Sequence, residues 1–426
     1  MNSLLRIPYT LAGRAANAIA LLVPPGESKF RRGLNARRDL IDRYERWSST
    51  SRDPARPLIW FHAPSVGEGL QATPVIDLVR TRRPDVQIAY TFYSPSAERF
   101  AGSVQADFAD YLPFDTLDAA DAMVAALKPT ALVFSKLDIW PALTERVAAG
   151  GIPVGVISGT LAESSARRGV LAHLLLGDAY RSIYALGAID EKDATHFREL
   201  GVPDERIRVT GDTRYDQVWQ RAQRPAPPLV QSLHSSRPTL VAGSTWPSDE
   251  IHLLAVWMRI REKIPDARLI IAPHELTATH LAAIRTWSQK SRLRLATIDA
   301  RDAADADVML VDRFGVLGDL YSLADVAYIG GGFHSAGLHS VLEPAAFGVP
   351  VLFGPRNDKS RDPAKLIVAG GGASVSGEAD MTLRLRDWLG SLPARDAVGA
   401  AARAMVHDGT GAAERSFALV SWLLDR

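Results

Sequence analysis

Apolar runs of strand length alternate with helix-length segments through the first half of the chain. The runs cover residues 57–62, 86–91, 131–134 and 152–157. After the first run, apolar positions recur at helical spacing at Leu70, Val75, Ile76 and Val79. Strands that alternate with helices predict a parallel sheet with right-handed crossovers. We therefore expect a doubly wound α/β domain in this half.

The second half repeats this alternation after a proline-rich stretch, residues 223–238, which is typical of a linker. Its apolar runs cover residues 239–243, 268–272, 308–311, 326–330 and 349–353. The pattern predicts two Rossmann-like α/β domains, over residues 51–222 and 239–405, facing each other across a cleft. A helix within residues 406–426 is expected to pack back on the first domain.

Composition and charge narrow the classes of function. A chain of 426 residues exceeds what one hydrophobic core usually spans, which agrees with two domains. The net charge of +1 gives no global signature of a nucleic-acid binder. The sequence has no cysteine, which excludes disulfides, thiol catalysis and cysteine-ligated zinc. No cluster of His, Asp and Glu has convincing metal-ligand spacing, so no metal is expected.

The first 50 residues are predicted to lie on a membrane surface. Residues 15–23 are apolar, but a bilayer span needs about 20 apolar residues. Seven cations follow within eighteen residues: Lys29, Arg31, Arg32, Arg37, Arg38, Arg43 and Arg46. An apolar stretch followed by a cationic one is typical of a segment on anionic lipid. The alternative is a soluble helix docked on its own domain with a solvated basic face.

Glu68 is a candidate general base because it stands between Gly67 and Gly69 at the predicted start of a helix. Glycine lets a ligand approach the backbone, and an exposed carboxylate there can take a proton. The alternative is a Glu that only complements the helix dipole.

A second candidate site begins at Gly330–Gly332, directly after a predicted strand. Free amides at a glycine turn and a helix N-terminus suit a phosphate, and Glu343, one turn inside the helix, could accept hydrogen bonds from a ribose. The glycines are not spaced G-x-G-x-x-G, and no P-loop motif occurs. The alternative is a tight turn with a capping His339.

Two other strand ends carry polar residues. Lys136 and Asp138 could place a cation in the cleft or could simply pair with each other. Ser244 and Thr245 could hold a phosphate or cap the helix that begins near Asp249.

Taken in order, these segments resemble the 3-deoxy-D-manno-oct-2-ulosonic acid (Kdo) transferases. The resemblance runs from about residue 59 to residue 353 and rests on S-V-G-E at 65–68, K-L-D-I-W-P at 136–141, G-D-T-R-Y-D at 211–216, G-S-T at 243–245, A-P-H-E at 272–275, Asp312 with Gly315 and Tyr321, and the segment from Gly331 to Pro344. It implies a GT-B glycosyltransferase that moves Kdo from CMP-Kdo to a lipid A precursor, with inversion and with neither metal nor cofactor. It also implies a place at the cytoplasmic face of the inner membrane, in contact with its lipids.

The resemblance also implies roles for individual residues. Glu68 matches the family's catalytic base. The residues implied to bind the CMP donor are Ser244, Thr245, His274, Gly315, Gly331, Gly332, His339, Ser340 and Glu343. Those implied to meet an anion of the donor or acceptor are Gly67, Lys136 and Arg214.

Three residues depart from the pattern that many members of this family share, namely Lys136, Trp246 and Ser340. The departures leave the identity of the acceptor and the number of Kdo units open. Two other hypotheses also remain open at this point. One is a GT-B transferase or an epimerase that uses a UDP-sugar, and the other is a non-catalytic scaffold at the membrane surface.

Overall fold

The computed structural model describes residues 3–24, 26, 28–163 and 165–426. Positions 1, 2, 25 and 27 belong to the predicted membrane-surface segment and lie outside the described residues. The chain forms two compact units. Unit 1 takes the residues up to Gln217 together with Thr410–Arg426, and unit 2 is Val218–Gly409.

Within the described residues, unit 1 contains a sheet of seven parallel strands. They are β1 (Leu58–His62), β2 (Gln87–Phe92), β3 (Phe108–Tyr111), β4 (Ala131–Ser135), β5 (Val154–Gly159), β6 (Ala185–Ala188) and β7 (Ile207–Val209). Their order is β3-β2-β1-β4-β5-β6-β7. The chain therefore winds outward from β1 on one side and from β4 on the other.

Unit 1 contains helices that cover this sheet and, among the residues that the structure describes, three helices that precede β1 in the chain. They are α1 (Ser3–Leu22), α2 (Lys29–Asn35), α3 (Leu40–Ser51), α4 (Val66–Arg82), α5 (Glu98–Ala101), α6 (Leu117–Leu127), α7 (Pro141–Ala149), α8 (Val170–Ser182), α9 (Glu191–Glu199) and α10 (Thr213–Gln223), whose last residues belong to unit 2. The C-terminal helix α19 (Ala412–Leu424) adds Leu419, Val420 and Leu423 to the core of unit 1.

Unit 2 repeats the plan with a second parallel sheet, of seven strands in the described part of the chain. They are β8 (Thr239–Thr245), β9 (Arg268–Pro273), β10 (Leu295–Thr297), β11 (Val308–Leu310), β12 (Val326–Ile329), β13 (Val351–Phe353) and β14 (Gly372–Ser374), in the order β10-β11-β9-β8-β12-β13-β14. Its other helices are α11 (Pro228–Ser232), α12 (Pro247–Lys263), α13 (Ala278–Lys290), α14 (Leu317–Leu320), α15 (Leu342–Ala346), α16 (Asp362–Val368), α17 (Glu378–Gly390) and α18 (Leu392–Asp408). The predicted α/β class with two Rossmann-like domains is confirmed.

The burial of the central strands explains why the pattern of apolar residues predicted them. Every residue of β1 and of β4 is buried, because helices cover both faces of a parallel sheet. Such strands require an unbroken apolar run. The strands that the pattern did not predict are β3, β6, β7, β10 and β14, which have three or four residues each and lie at or next to a sheet edge.

Residues 223–238 differ from the expected linker. They contain α11, and Val230 and Leu233 are only 2% and 3% exposed. The guanidinium of Arg268 donates to the carbonyl oxygen of Leu233 at 2.9 Å. The segment is therefore packed within unit 2, because its apolar residues bury surface there despite the prolines.

Asp216 caps the C-terminal helix α19. Its carboxylate accepts hydrogen bonds from the backbone nitrogens of Gly411 at 2.7 Å and Ala413 at 3.1 Å. In Asp216→Asn an NH₂ group would face one of these amides, so we expect the free energy of unfolding to fall by about 1–3 kcal/mol. Urea denaturation measures the loss.

The matched control is Asp302→Asn, because the Asp302 side chain is exposed and makes no capping hydrogen bond. Its effect is expected to stay within about 0.5 kcal/mol. Equal losses in the two variants would contradict the capping role of Asp216.

Candidate active site

Glu68 lies in the first turn of α4, immediately after the loop that leaves β1. Strands β1 and β4 are neighbours, so Lys136, which directly follows β4, is brought opposite it. The Lys136 Nζ lies 3.5 Å from Glu68 Oε1, and the Ser65 hydroxyl donates to Oε2. The side chains of Glu68 and Lys136 are 15% and 38% exposed. The structure thus holds both oxygens of a nearly buried carboxylate at the carboxyl edge of the sheet.

The backbone at Lys136 is unusual for a residue with a side chain, since its φ is +75°. Its amide donates to the carbonyl oxygen of Ile157 at 2.8 Å, and the neighbouring Ser135 hydroxyl donates to that of Glu68 at 2.9 Å. Left-handed backbone in a non-glycine residue costs free energy and tends to occur at functional sites. These contacts keep the ammonium group pointed at Glu68.

The alternative pair of Lys136 with Asp138 is not what the structure contains. Asp138 forms its ion pair with Arg167, which also donates to the carbonyl oxygen of Leu137 at 2.9 Å. Arg167 lies far along the sequence, and no local pattern indicates it. The left-handed turn at Lys136 separates the two side chains that looked adjacent in the sequence.

His62 anchors the loop that carries Lys136. The indole nitrogen of Trp140 donates to His62 Nε2 at 2.9 Å, and His62 Nδ1 lies 2.9 Å from the Thr91 hydroxyl. Burial lowers the pKa of His62 to about 3, so its ring is neutral. The ring therefore carries its proton on Nδ1 and presents Nε2 as an acceptor to Trp140.

Gly67 and Arg214 lie at the same end of unit 1. A Cβ on Gly67 would meet only the Ser65 hydroxyl, at 3.7 Å, so the space beside it is open. Arg214 pairs with Asp212, with Nε to Oδ2 at 2.8 Å. Asp212 in turn accepts a hydrogen bond at 3.4 Å from Gln71, one turn beyond Glu68 on α4.

The glycine turn of unit 2 differs from the expectation of free amides at a helix N-terminus. The buried carboxylate of Asp249 accepts from the backbone nitrogens of Gly331 at 2.8 Å and Phe333 at 3.1 Å. It also accepts from Trp246 N at 2.9 Å and from the Tyr328 hydroxyl at 3.1 Å. Two of the turn's amides are thus already bonded within the protein.

The helix expected after this turn starts later, since α15 begins only at Leu342 and Glu343 is its second residue. The intervening chain stays close to the glycines. Gly331 has a φ of +95°, and a Cβ on it would collide with the carbonyl oxygen of Gly337. Gly332 packs backbone to backbone against Gly354. The glycines therefore serve close packing between loops.

Four aromatic rings pack in a row at this edge of unit 2. Trp246 lies between His334, with ring centroids 3.9 Å apart, and His274, at 4.4 Å. His274 continues to His339 at 4.5 Å. Burial, followed by the proximity of His274, lowers the pKa of His339 to about 4, so this ring is neutral near pH 7. The departure at Trp246 therefore belongs to an ordered wall of flat side chains.

Ser244 and Thr245 differ in the exposure of their side chains. Ser244 has a φ of +54° and is partly exposed at the end of β8. Thr245 is fully buried, and its hydroxyl donates at 2.7 Å to Glu250, which pairs with His280 at 3.0 Å. We expected both hydroxyls on the donor side, but that of Thr245 is turned into the protein.

The remaining candidates of unit 2 lie on the segments around α14 and α15. Gly315 has a φ of +89° and open space where a Cβ would stand. Ser340 is exposed two residues before α15. Glu343 lies 3.8 Å from Arg221, and burial raises the pKa of its carboxyl group.

Two residues that organise this edge of unit 2, Asp249 and Arg221, were not predicted from the sequence. Asp249 stands three residues after Trp246, the capping-box position, so its spacing was a usable signal. Arg221 belongs to no motif, and nothing in the sequence indicates its contact with Glu343. In the described part of the chain, no group of three or more His, Asp and Glu side chains could hold a metal ion.

The chain is similar in sequence to one family of enzymes. A model of the family described as 3-Deoxy-D-manno-octulosonic-acid transferase (kdotransferase) matches residues 38–217. The 3-deoxy-D-manno-octulosonic acid transferase of Haemophilus influenzae is 25% identical over 398 residues, 92% of this chain and 92% of that protein. The protein of the same name from Bordetella pertussis is 26% identical over 396 residues, 89% of this chain and 91% of that protein.

Solved structures share the fold at much lower identity. The UDP-GlcNAc 2-epimerase of Neisseria meningitidis aligns with a TM-score of 0.59 and 14% identity, over 87% of this chain and 99% of that chain. A glycosyltransferase of Rickettsia africae aligns with a TM-score of 0.57 and 12% identity, over 87% and 99%. The predicted GT-B class is confirmed at the level of the fold.

The neutral, buried His62 predicts a pH dependence of stability. Its folded pKa of about 3 lies below the ordinary histidine value of 6.5, so only the unfolded chain takes up a proton as the pH falls from 6.5 toward 3. Stability is therefore lost on acidification. The loss is about 2 kcal/mol between about pH 7 and about pH 5.

Urea denaturation of His62→Gln at both pH values measures this contribution. The variant is expected to be less stable at pH 7 but to lose about 2 kcal/mol less on acidification. The control, His234→Gln, replaces an exposed histidine and should retain the wild-type dependence. If His62→Gln also retains it, the account of His62 is wrong.

Proposed function

We propose that this chain, which is similar in sequence to the 3-deoxy-D-manno-octulosonic acid (Kdo) transferases, is a glycosyltransferase that moves Kdo from CMP-Kdo to a lipid A precursor with inversion at the anomeric carbon. Unit 1 binds the acceptor and unit 2 binds the donor. The observation that carries this proposal is the carboxylate of Glu68, held by Lys136 and Ser65 at the carboxyl edge of the unit 1 sheet.

Glu68 acts as the general base. An acceptor hydroxyl gives its proton to a Glu68 oxygen while the hydroxyl oxygen forms a bond to the anomeric carbon of Kdo. The bond between that carbon and the phosphate oxygen breaks, and CMP leaves with the electron pair. The open space beside Gly67 gives an acceptor sugar access to the carboxylate. One displacement at the anomeric carbon accounts for inversion.

Lys136 serves two partners in turn. In the structure described here it pairs with Glu68, which keeps the base oriented. During the reaction its ammonium group meets an anion, either the carboxylate of Kdo or a phosphate of the acceptor. Arg214 offers a second cation at the same end of the unit. Its guanidinium is oriented by the ion pair with Asp212, which has an Nη2 to Oδ2 distance of 2.5 Å.

Unit 2 receives the nucleotide at the switch point of its sheet, between β8 and β12. The phosphate lies beside three partly exposed side chains, those of Ser244, His274 and His339. The flat aromatic rings of this edge suit contact with the face of a base or a sugar. Glu343 accepts hydrogen bonds from the ribose hydroxyls. The surface that receives the nucleotide is shaped or supported by five further residues: Thr245, Gly315, Gly331, Gly332 and Ser340. The low pKa of His339 makes that ring a neutral donor or acceptor.

The N-terminal helices hold unit 1 on anionic lipid at the cytoplasmic face of the inner membrane. Among the described residues, no helix is both long and apolar enough to cross a bilayer. Exposed apolar side chains are nevertheless concentrated here: Ile7, Leu11, Ile19, Leu22 and Phe30, together with Val170 and Leu174 on α8. A surface with this composition suits shallow insertion among lipid headgroups.

The structure narrows the set of cations that could meet the lipid. Arg37 is buried and donates to carbonyl oxygens, among them that of Leu112 at 2.9 Å. Arg43 pairs with Asp110 at 2.7 Å. Arg37 is therefore not available to lipid and Arg43 is already paired within unit 1, which corrects the expectation that all seven cations meet the membrane. Lys29 and Arg31 stay exposed beside Phe30.

Glu68→Gln tests the proposed mechanism. An amide cannot accept the proton, so we expect turnover to fall by about 10²- to 10⁴-fold. CMP affinity should stay nearly constant, because the donor binds unit 2. Turnover is measured by mass spectrometry of a lipid A precursor incubated with CMP-Kdo, and CMP affinity by thermal shift against UMP.

The matched control is Glu163→Gln, since Glu163 pairs with Lys192 at 2.8 Å but is exposed. It should leave turnover unchanged. Glu68→Gln with more than about a tenth of wild-type turnover would remove Glu68 from the mechanism. Stabilisation by UMP but not by CMP would argue against the CMP-sugar donor.

Charge reversal tests the membrane surface. The double variant Lys29→Glu with Arg31→Glu should bind phosphatidylglycerol vesicles at least about tenfold more weakly, because each cation near an anionic surface contributes about 1 kcal/mol. Wild-type binding should itself weaken with salt, as the Debye length falls from about 10 Å at 0.1 M to about 3 Å at 1 M. Vesicle flotation measures both effects.

The control reverses two exposed cations of unit 2, Lys290 and Arg301. It should bind vesicles as the wild type does. Unchanged binding of the Lys29 and Arg31 variant, or an equal loss in the control, would contradict attachment through this surface.

A further inference from the structure

Two carboxylates of unit 2 share one guanidinium. Arg221 Nη1 lies 3.8 Å from Glu343 Oε1, and Arg221 Nε lies 3.9 Å from Asp319 Oδ1. The three side chains are between 28% and 30% exposed. They belong to α10, α14 and α15, elements that are far apart in the sequence. The cluster is thus a tertiary arrangement.

Gly318 makes room for this arrangement. A Cβ at position 318 would collide with the Arg221 guanidinium and would stand 3.2 Å from Glu343 Oε1. The glycine at 318 leaves space in which the Arg221 guanidinium lies over α14 close to both carboxylates. A side chain at this position would require Arg221 to move away from Glu343.

Arg221 affects the pKa of Glu343. Burial raises the pKa of Glu343, Arg221 opposes this effect, and Asp319 reinforces it. The buried Tyr321 hydroxyl is the other titratable group at this carboxylate, and its own pKa is raised by burial and by Glu343. Arg221 is thus the cation that pairs with Glu343 and favours its ionised form.

We propose that Arg221 is a positioning residue for the donor, which holds the Glu343 carboxylate ionised and oriented so that it accepts hydrogen bonds from both ribose hydroxyls. This inference rests on the proposed function, in which Glu343 binds the ribose. An ionised carboxylate can accept hydrogen bonds at both oxygens, whereas in a protonated carboxyl group one oxygen carries the proton. Without Arg221, ribose binding should therefore weaken increasingly as the pH falls.

The experiment measures the binding of cytidine to the full chain by calorimetry as a function of pH, from about the ordinary carboxyl pKa of 4.3 to above neutrality, because the pKa of Glu343 is raised. Cytidine is used because it has no phosphate to titrate. In Arg221→Met the midpoint at which affinity rises should move up by about one pH unit or more, which is about tenfold in affinity below the midpoint. Arg221→Lys retains the charge and should lie near the wild type.

Two further variants separate a positioning role from a general loss of structure. Arg224→Met removes an exposed cation from the chain just beyond α10 and should leave the profile unchanged. In the Glu343→Gln background, which has no carboxyl group to titrate, Arg221→Met should cause no further shift. A merely structural role of Arg221 would weaken binding equally at every pH.

The inference is overturned if Arg221→Met and the wild type show the same pH profile, or if the shift persists in the Glu343→Gln background. The proposed ribose contact fails in a different way, through unchanged cytidine affinity in Glu343→Gln alone, and the positioning role of Arg221 then falls with it.

Discussion

Two pairs of neighbouring strands, β1 with β4 and β8 with β12, determine where the polar groups of the candidate site meet. In each pair the chain winds away in opposite directions, so the loops beyond the carboxyl ends diverge and leave a crevice. Side chains that follow the two strands meet across it. Glu68 reaches Lys136 at 3.5 Å in unit 1, and Asp249 reaches the Gly331 amide at 2.8 Å in unit 2. A different strand order would separate the members of each pair.

Buried charges keep the edges of these crevices rigid. Asp249 bonds four donors, and Asp115 accepts from the Ala142 and Leu143 amides at 2.9 Å each. A buried carboxylate without such partners would cost several kcal/mol, so each loop is confined to the geometry that satisfies it. The partly exposed Glu68 and Lys136 follow β1 and β4 at the same edge of the unit 1 sheet. Preorganisation of that kind favours the charge changes of a transfer reaction.

The sequence was most informative where burial is complete. Strands β1 and β4 are covered on both faces, and their continuous apolar runs were recognisable, whereas the edge strands β3 and β14 need no such run. The location of Glu68 was predictable because glycines and a helix start are local signals. The capture of the glycine amides was not, since Asp249 lies 82 residues before Gly331. Long-range polar contacts depend on the assembled sheet, which no local window contains.

The N-terminal cations show how one residue type divides between two uses after folding. Arg37 and Arg43 fasten the segment to unit 1, so a charge count overstates what remains for lipid. The fastening itself matters for the proposed reaction. Helix α8, which carries the exposed Val170, follows directly after Arg167, and Arg167 bonds the loop between Lys136 and Trp140 through Leu137 and Asp138. The apolar surface and the proposed base therefore belong to the same unit, joined through Arg167. In the proposed function, a lipid acceptor that unit 1 meets at the membrane would find Glu68 on the same unit.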